Sequence, residues 1–201
     1  MNSNKKLILV IALFPLISSF SIAQINPSFF EKVESIKKDL YKISPKELCK
    51  ILNIPCMPTP TITADQLKST MSSQSNLLVI NVLPEHYHND CHIKGSINAP
   101  LRELIHRADA WNRSQKIVVY CALDECDAGE KGCILLKHMG FTDVSDYKGG
   151  IKEWYQLNYA TEGPAESDYL HTKSLPSFEQ YKLYPETIVC SNQIRWINKY
   201  Q

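Results

Sequence analysis

A chain of 201 residues with 44% hydrophobic and 21% charged side chains has the make-up of a folded globular protein, with room for one ordinary domain and its extensions. Its 22 basic residues nearly balance 21 acidic ones, for a formal net charge of +1. No basic stripe stands out, and the balance argues against a polyelectrolyte partner such as nucleic acid.

At the N-terminus, Lys5 and Lys6 precede an apolar run from Leu7 to Phe20, and Ser21-Ile22-Ala23 supplies small residues at the spacing of a cleavage site. This is the pattern of a Sec signal peptide over residues 1–23. The run is short against the about 20 helical residues that cross a bilayer, so cleavage is favoured over a retained anchor. The expected mature chain begins at Gln24, is periplasmic or secreted, and has no membrane attachment. Export would let disulfides persist among the seven cysteines.

From Pro27 to Leu52, Phe30, Val33, Ile36 and Leu40, then Leu48 and Ile51, recur at helical spacings. Ser44-Pro45 interrupts the run, with Ser44 as an N-cap and Pro45 at the first position of a second helix. Pro55-Cys56-Met57-Pro58-Thr59-Pro60 cannot continue a helix and reads as a linker, so residues 24–60 form a helical extension and the main domain starts near 61. Next come β-prone Thr61-Ile62-Thr63, a helical stretch from Asp65 to Met71, and Leu77–Val82, an apolar run suited to a strand buried on both faces of a parallel sheet. Ser96–Ala99 is a second short strand, followed by a helix from about Leu101 to Ala110. Ile117–Tyr120 is a third strand and ends directly at Cys121. Gly132–Met139 reads as a helix closed by Gly140, and Val144–Tyr147 as another strand. Strands alternating with helices define an α/β domain with a mostly parallel sheet. Such sheets bind ligands at the carboxyl ends of their strands, where Cys121 falls. From residue 161 to 201, Pro164, Pro176 and Pro185 break the pattern, while Tyr169, Phe178, Tyr181, Tyr184 and Trp196 suggest a tail packed on the domain.

Leu78-Val79-Ile80-Asn81-Val82, then Glu85-His86-Tyr87, then His92 through Pro100 resemble the opening signature of rhodanese domains. Val118-Val119-Tyr120-Cys121 resembles that family's strand and active-site cysteine. Leu135-Leu136-Lys137 through Gly140-Phe141 resembles its next helix, and Gly149-Gly150-Ile151 with Trp154 its terminal motif. The match covers residues 61–160 in the family's order. It implies a rhodanese-like α/β fold: a mostly parallel central sheet flanked by helices, here with an N-terminal helical and a C-terminal irregular extension. It also implies a sulfurtransferase in which the Cys121 thiolate takes the outer sulfur of a small donor and passes it, as a persulfide, to a thiol or cyanide acceptor. The loop Ala122-Leu123-Asp124-Glu125-Cys126-Asp127-Ala128 would turn backbone N–H groups inward and run into a helix N-terminus, favouring an anion. No metal or other cofactor is implied.

The departures from the family pattern bear on chemistry. The loop is long and acidic. Where thiosulfate-using members carry Arg or Lys, Asp124, Glu125 and Asp127 would repel an anionic donor if they pointed inward, which counts against thiosulfate. Asn81 and Leu83 stand where an Asp and an Arg are common. The fold-related dual-specificity phosphatases grip phosphate with a loop Arg, which this loop lacks. Cys126, read as an exposed neighbour of Cys121, is either a resolving thiol or a loop cysteine that is bonded elsewhere or idle. With Cys121 kept as a thiol, the other six cysteines (Cys49, Cys56, Cys91, Cys126, Cys133 and Cys190) allow 15 pairings, and Cys56 with Cys190 would tie the two flanks together. Cys133 reads as core and Arg102, His106 and Arg107 as a solvated face. His86, His88, Cys91 and His92 are poorly spaced for a metal. Three readings stay open: a sulfurtransferase, a thiol-disulfide redox protein using Cys121 and Cys126, and a catalytically silent module that binds a protein partner.

Overall fold

The computed structural model describes residues 27–172. The expected signal peptide, Cys190 and the aromatics Phe178, Tyr181, Tyr184 and Trp196 lie outside the described residues.

Helix α1 (Pro27–Ile36) passes through a 3-10 turn, Lys37–Asp39, to α2 (Pro45–Leu52). The start of α2 is a reciprocal box: the Glu47 N–H donates to Ser44 Oγ and the Ser44 N–H to the Glu47 carboxylate. Both amides would otherwise lack partners at a helix start. Asn53 ends α2 in the left-handed region at φ 57, donating its N–H to the carbonyls of Cys49 and Lys50. Phe29, Val33, Leu40, Leu48 and Leu52 belong to the same buried core as the domain, so the extension is packed onto it.

After the Pro-rich linker, Thr61 bridges in parallel to Asp146, whose N–H donates to the Pro60 carbonyl. The chain then runs α3 (Ala64–Ser73), β1 (Leu77–Asn81), α4 (Glu85–Asp90), β2 (His92–Ile93), β3 (Ile97–Asn98) and α5 (Leu104–Arg107), followed by a 3-10 turn at Ala108–Ala110. It continues through β4 (Lys116–Tyr120), α6 (Ala128–His138), β5 (Val144–Tyr147), α7 (Gly150–Gln156), β6 (Thr161–Glu162) and α8 (Asp168–His171). The central sheet has the order β3-β1-β4-β5 and all its pairings are parallel. Val79, Ile80, Ile117, Val118 and Val119 are buried, as apolar runs in a sheet covered by helices on both faces must be.

Three boundaries differ from the sequence reading. Helix α5 begins at Leu104 rather than Leu101: residues 101–103 form a turn tied to the end of β1 by the Leu101 N–H, which donates to the Val82 carbonyl. Helix α6 begins at Ala128, a turn before Gly132. Gly129 and Gly132 weaken the helical signal, yet both sit close against the sheet: a Cβ at Gly129 would collide with the Asp146 carboxylate, and one at Gly132 would lie a tight 3.1 Å from Val119 Cγ1. Finally, residues 161–172 are not irregular throughout. Strand β6 pairs antiparallel with β2, and α8 buries Leu170.

Candidate active site

Strand β4 delivers Cys121 to the carboxyl edge of the sheet, where the residue is only 1% exposed. The base of the loop is held by α7. The Ile151 N–H donates to the Cys121 carbonyl at 3.0 Å and the Lys152 N–H to the Ala122 carbonyl at 2.9 Å. Amides in a helix's first turn have no acceptor inside their own helix, so they are free to grip the loop. Gly150 sits between loop and helix at φ +62. A Cβ there would lie 2.6 Å from the Ala122 carbonyl carbon and the Leu123 nitrogen. The Gly149-Gly150-Ile151 motif is thus a clamp on the cysteine's own backbone.

Cys121 Sγ donates to the Cys126 carbonyl at 3.2 Å, and the Leu123 carbonyl lies at 3.8 Å. Burial pushes the thiol well above its ordinary range, and the Cys126 side chain and the Asp146 charge act in the same direction. The Gly129 N–H, from the first turn of α6, opposes them by offering the sulfur a donor. At rest the group is a neutral thiol whose proton points at a carbonyl.

The loop acids divide. Asp124 and Glu125 are exposed, whereas Asp127 is buried and lies 2.7 Å from Lys131 Nζ, with side chains 2% and 0% exposed. Lys131 also donates to the Ile43 carbonyl of the extension at 3.0 Å. The loop itself carries no cation, but one sits four residues after Asp127, a helical spacing visible in the sequence. The exposed acids face cations too. Lys148 lies 3.4 Å from Glu130 and 3.7 Å from Asp146, and Asp124 adds to the field that raises its pKa. Burial lowers the Lys152 pKa, and the Glu125 charge opposes it. The expectation of a simply acidic mouth is corrected: the rim is of mixed charge. Cys126 is also corrected, being 3% exposed rather than open to solvent.

Two contributors were not singled out from sequence. Asp146 on β5 lies opposite Val119 of β4 and packs its carboxyl on Gly129; burial raises its pKa to about 7 while Lys148 draws it back. Tyr41 reaches in from the extension, its hydroxyl donating to the Val82 carbonyl at 2.8 Å and accepting from the Leu101 N–H at 3.1 Å. Cys126 and Cys121 both bear on its phenol, which burial holds in the protonated form. The extension therefore walls the cysteine's side of the sheet.

The remaining candidates have structural partners. Asn81 is buried and its Oδ1 accepts from the Leu83 N–H at 2.8 Å, so it shapes the exit of β1 without charge. Arg102 donates to the Lys38 carbonyl, His106 lies 2.7 Å from Glu34, and Arg107 pairs with Glu103, so the first two fasten the extension. His88 stacks on His92, whose Nε2 lies 3.3 Å from Glu162. Cys133 is fully buried.

Fold and site together define an α/β domain with a strand-end cysteine seated in a loop that feeds a helix N-terminus. Residues 63–157 match the family model of the rhodanese-like domain, and the chain belongs to that family. It is 32% identical to the rhodanese-like domain of the Anabaena protein Alr3790, covering 60% of this chain and 89% of that one, with a TM-score of 0.49. The BH2092 protein of Bacillus halodurans shares the fold at a TM-score of 0.53 and 19% identity, over 62% of this chain and 90% of that one. Among curated proteins, the "Putative sulfur carrier protein YrkF" of Bacillus subtilis is 25% identical over 95 residues, or 47% of this chain. The match spans 50% of that relative's length.

Proposed function

We propose that this protein is an exported sulfurtransferase that carries sulfane sulfur as a persulfide on Cys121 and passes it to a thiol or to cyanide. The observation that supports the reading best is the seat of the sulfur. Cys121 follows directly on a central strand, α7 amides hold its carbonyl and that of Ala122, and the Gly129 N–H at the start of α6 favours the charged form of its sulfur. A sulfur atom held this way can take up negative charge as its proton leaves. The Cys121 thiolate attacks the donor's outer sulfur, and the donor's S–S bond breaks with its electron pair going to the departing fragment. The acceptor then attacks the terminal sulfur, and the pair from the second broken bond returns to Cys121.

The resting thiol is buried, so donor entry requires the loop around it, whose Leu123 and Cys126 carbonyls lie against the sulfur, to move aside. The exposed Asp124 and Glu125 at the rim count against thiosulfate, a compact dianion, and leave a persulfide as the preferred donor. Export rests on Lys5, Lys6, the run Leu7–Phe20 and Ser21-Ile22-Ala23. Among the described residues no helix is long and apolar enough to cross a membrane. The activity test is thiocyanate formation from cyanide with a persulfide or thiosulfate donor. The reading expects turnover that Cys121→Ser abolishes, faster with the persulfide, and activity retained in the variant would remove it.

A second reading makes Cys121 and Cys126 a thiol-disulfide couple, and it is favoured by the two being buried in one loop, with Cys121 Sγ donating to the Cys126 carbonyl at 3.2 Å. Peptide mapping of the oxidised protein would show a bridge between these two. Separate alkylation of both thiols after oxidation would rule the couple out.

A further inference from the structure

The left-handed turn at Asn53 reverses the chain after α2, with the Ile54 N–H donating to the Cys49 carbonyl at 3.0 Å. The reversal brings Cys56, in the Pro-rich linker, back against Cys49 on α2, with the two sulfurs 2.7 Å apart. Cys56 Sγ is also 3.9 Å from the Pro45 carbonyl, so it lies over the α2 helix. The two sulfurs differ in access: Cys49 is 3% exposed, while Cys56 is at the surface. Disulfide geometry needs an S–S separation of about 2.05 Å, so closing the pair asks the two sulfurs to approach only a little further.

We infer that Cys49 and Cys56 are a second dithiol site, independent of Cys121, that is oxidised to a cystine by a small-molecule disulfide. The exposed Cys56 thiolate attacks one sulfur of the oxidant and releases the first thiolate, leaving a mixed disulfide on Cys56. Cys49 then gives up its proton and attacks Cys56 Sγ, expelling the second thiolate. The two protein thiols lose two electrons and two protons, and the oxidant leaves as two thiols. Cys49 is suited to the second step rather than the first, because burial and then Cys56 itself push its pKa to about 12. The ring of residues 49–56 would bind the linker to α2, the helix that packs against α6, which follows the active-site loop.

Sequence supplies a direct readout, since Lys50 lies between the two cysteines. Trypsin releases Glu47–Lys50 and Ile51–Lys68 as separate peptides unless a cystine joins them. Reduced full-length protein is incubated with oxidised glutathione, its remaining thiols are alkylated, and it is digested without reductant. The inference expects these peptides joined at two hydrogens less than their summed mass, equally in wild type and in Cys121→Ser. In Cys49→Ser it expects Cys56 to stop at the glutathione mixed disulfide. It is overturned if both cysteines remain alkylated, if wild type accumulates the mixed disulfide as Cys49→Ser does, or if Cys56 is joined to another cysteine such as Cys190. Because Cys121→Ser carries the same readout, failure here is separate from failure of the sulfur-transfer reading.

Discussion

Cys121 and Cys126 stand five residues apart, and Cys49 and Cys56 seven, yet the two pairs live in opposite surroundings. In the first pair both residues are buried, the Cys121 proton is held by a carbonyl, and α7 and Gly150 fix the backbone beneath it. In the second, one sulfur is buried and the other is exposed in a linker, and they meet sulfur to sulfur. Spacing decides which cysteines can meet; depth and hydrogen bonding decide which react first. At neutral pH iodoacetamide should label Cys56 well before Cys121.

That contrast can be broken from the closed side. The largest expected effect is from Lys131→Met, which leaves Asp127 buried without its cation and should cost about 3–5 kcal/mol in urea unfolding. Adding Asp127→Asn should recover most of it. Next is Asp146→Asn. The Asp146 pKa is raised from 3.8 to about 7, so the native state holds the proton more tightly than the unfolded chain. Its contribution is therefore present below about pH 4 and lost as pH rises through 7. Wild type should lose stability relative to Asp146→Asn across that window, by at most roughly 4 kcal/mol. Gly150→Ala forces a side chain into the clamp at a left-handed φ. It should cost about 2–3 kcal/mol and speed alkylation of Cys121 while leaving Cys56 unchanged. Tyr41→Phe removes one donor and one acceptor at the extension's contact and should cost about 1 kcal/mol.

The parallel strands were legible because buried strands write themselves as apolar runs: Leu77–Asn81, Lys116–Tyr120 and Val144–Tyr147 fall where the sequence placed them. Ser44 was legible as a cap because its partner, Glu47, is local. What stayed hidden depends on distant partners. Strands β2 and β6 have two residues each, too few for a period, and they exist only through each other. The start of α6 carries Gly129 and Gly132, which lower helix propensity, and both face the sheet, Gly129 against Asp146 and Gly132 against Val119. At the site, Cys121 and its loop were marked by the family motif. The burial of Cys126, the inward Asp127 with Lys131, and the insertion of Tyr41 are matters of packing that no local pattern records.

The central claim, that Cys121 carries sulfur, is tested most directly by mass. Full-length protein is incubated with a persulfide donor, freed of excess reagent, weighed intact and peptide-mapped, with Cys121→Ser alongside. A gain of one sulfur on the Cys121 peptide, removed by reductant and absent from the variant, is the result expected. A Cys121 peptide that stays unmodified while Cys56 in the same sample takes up sulfur would contradict it.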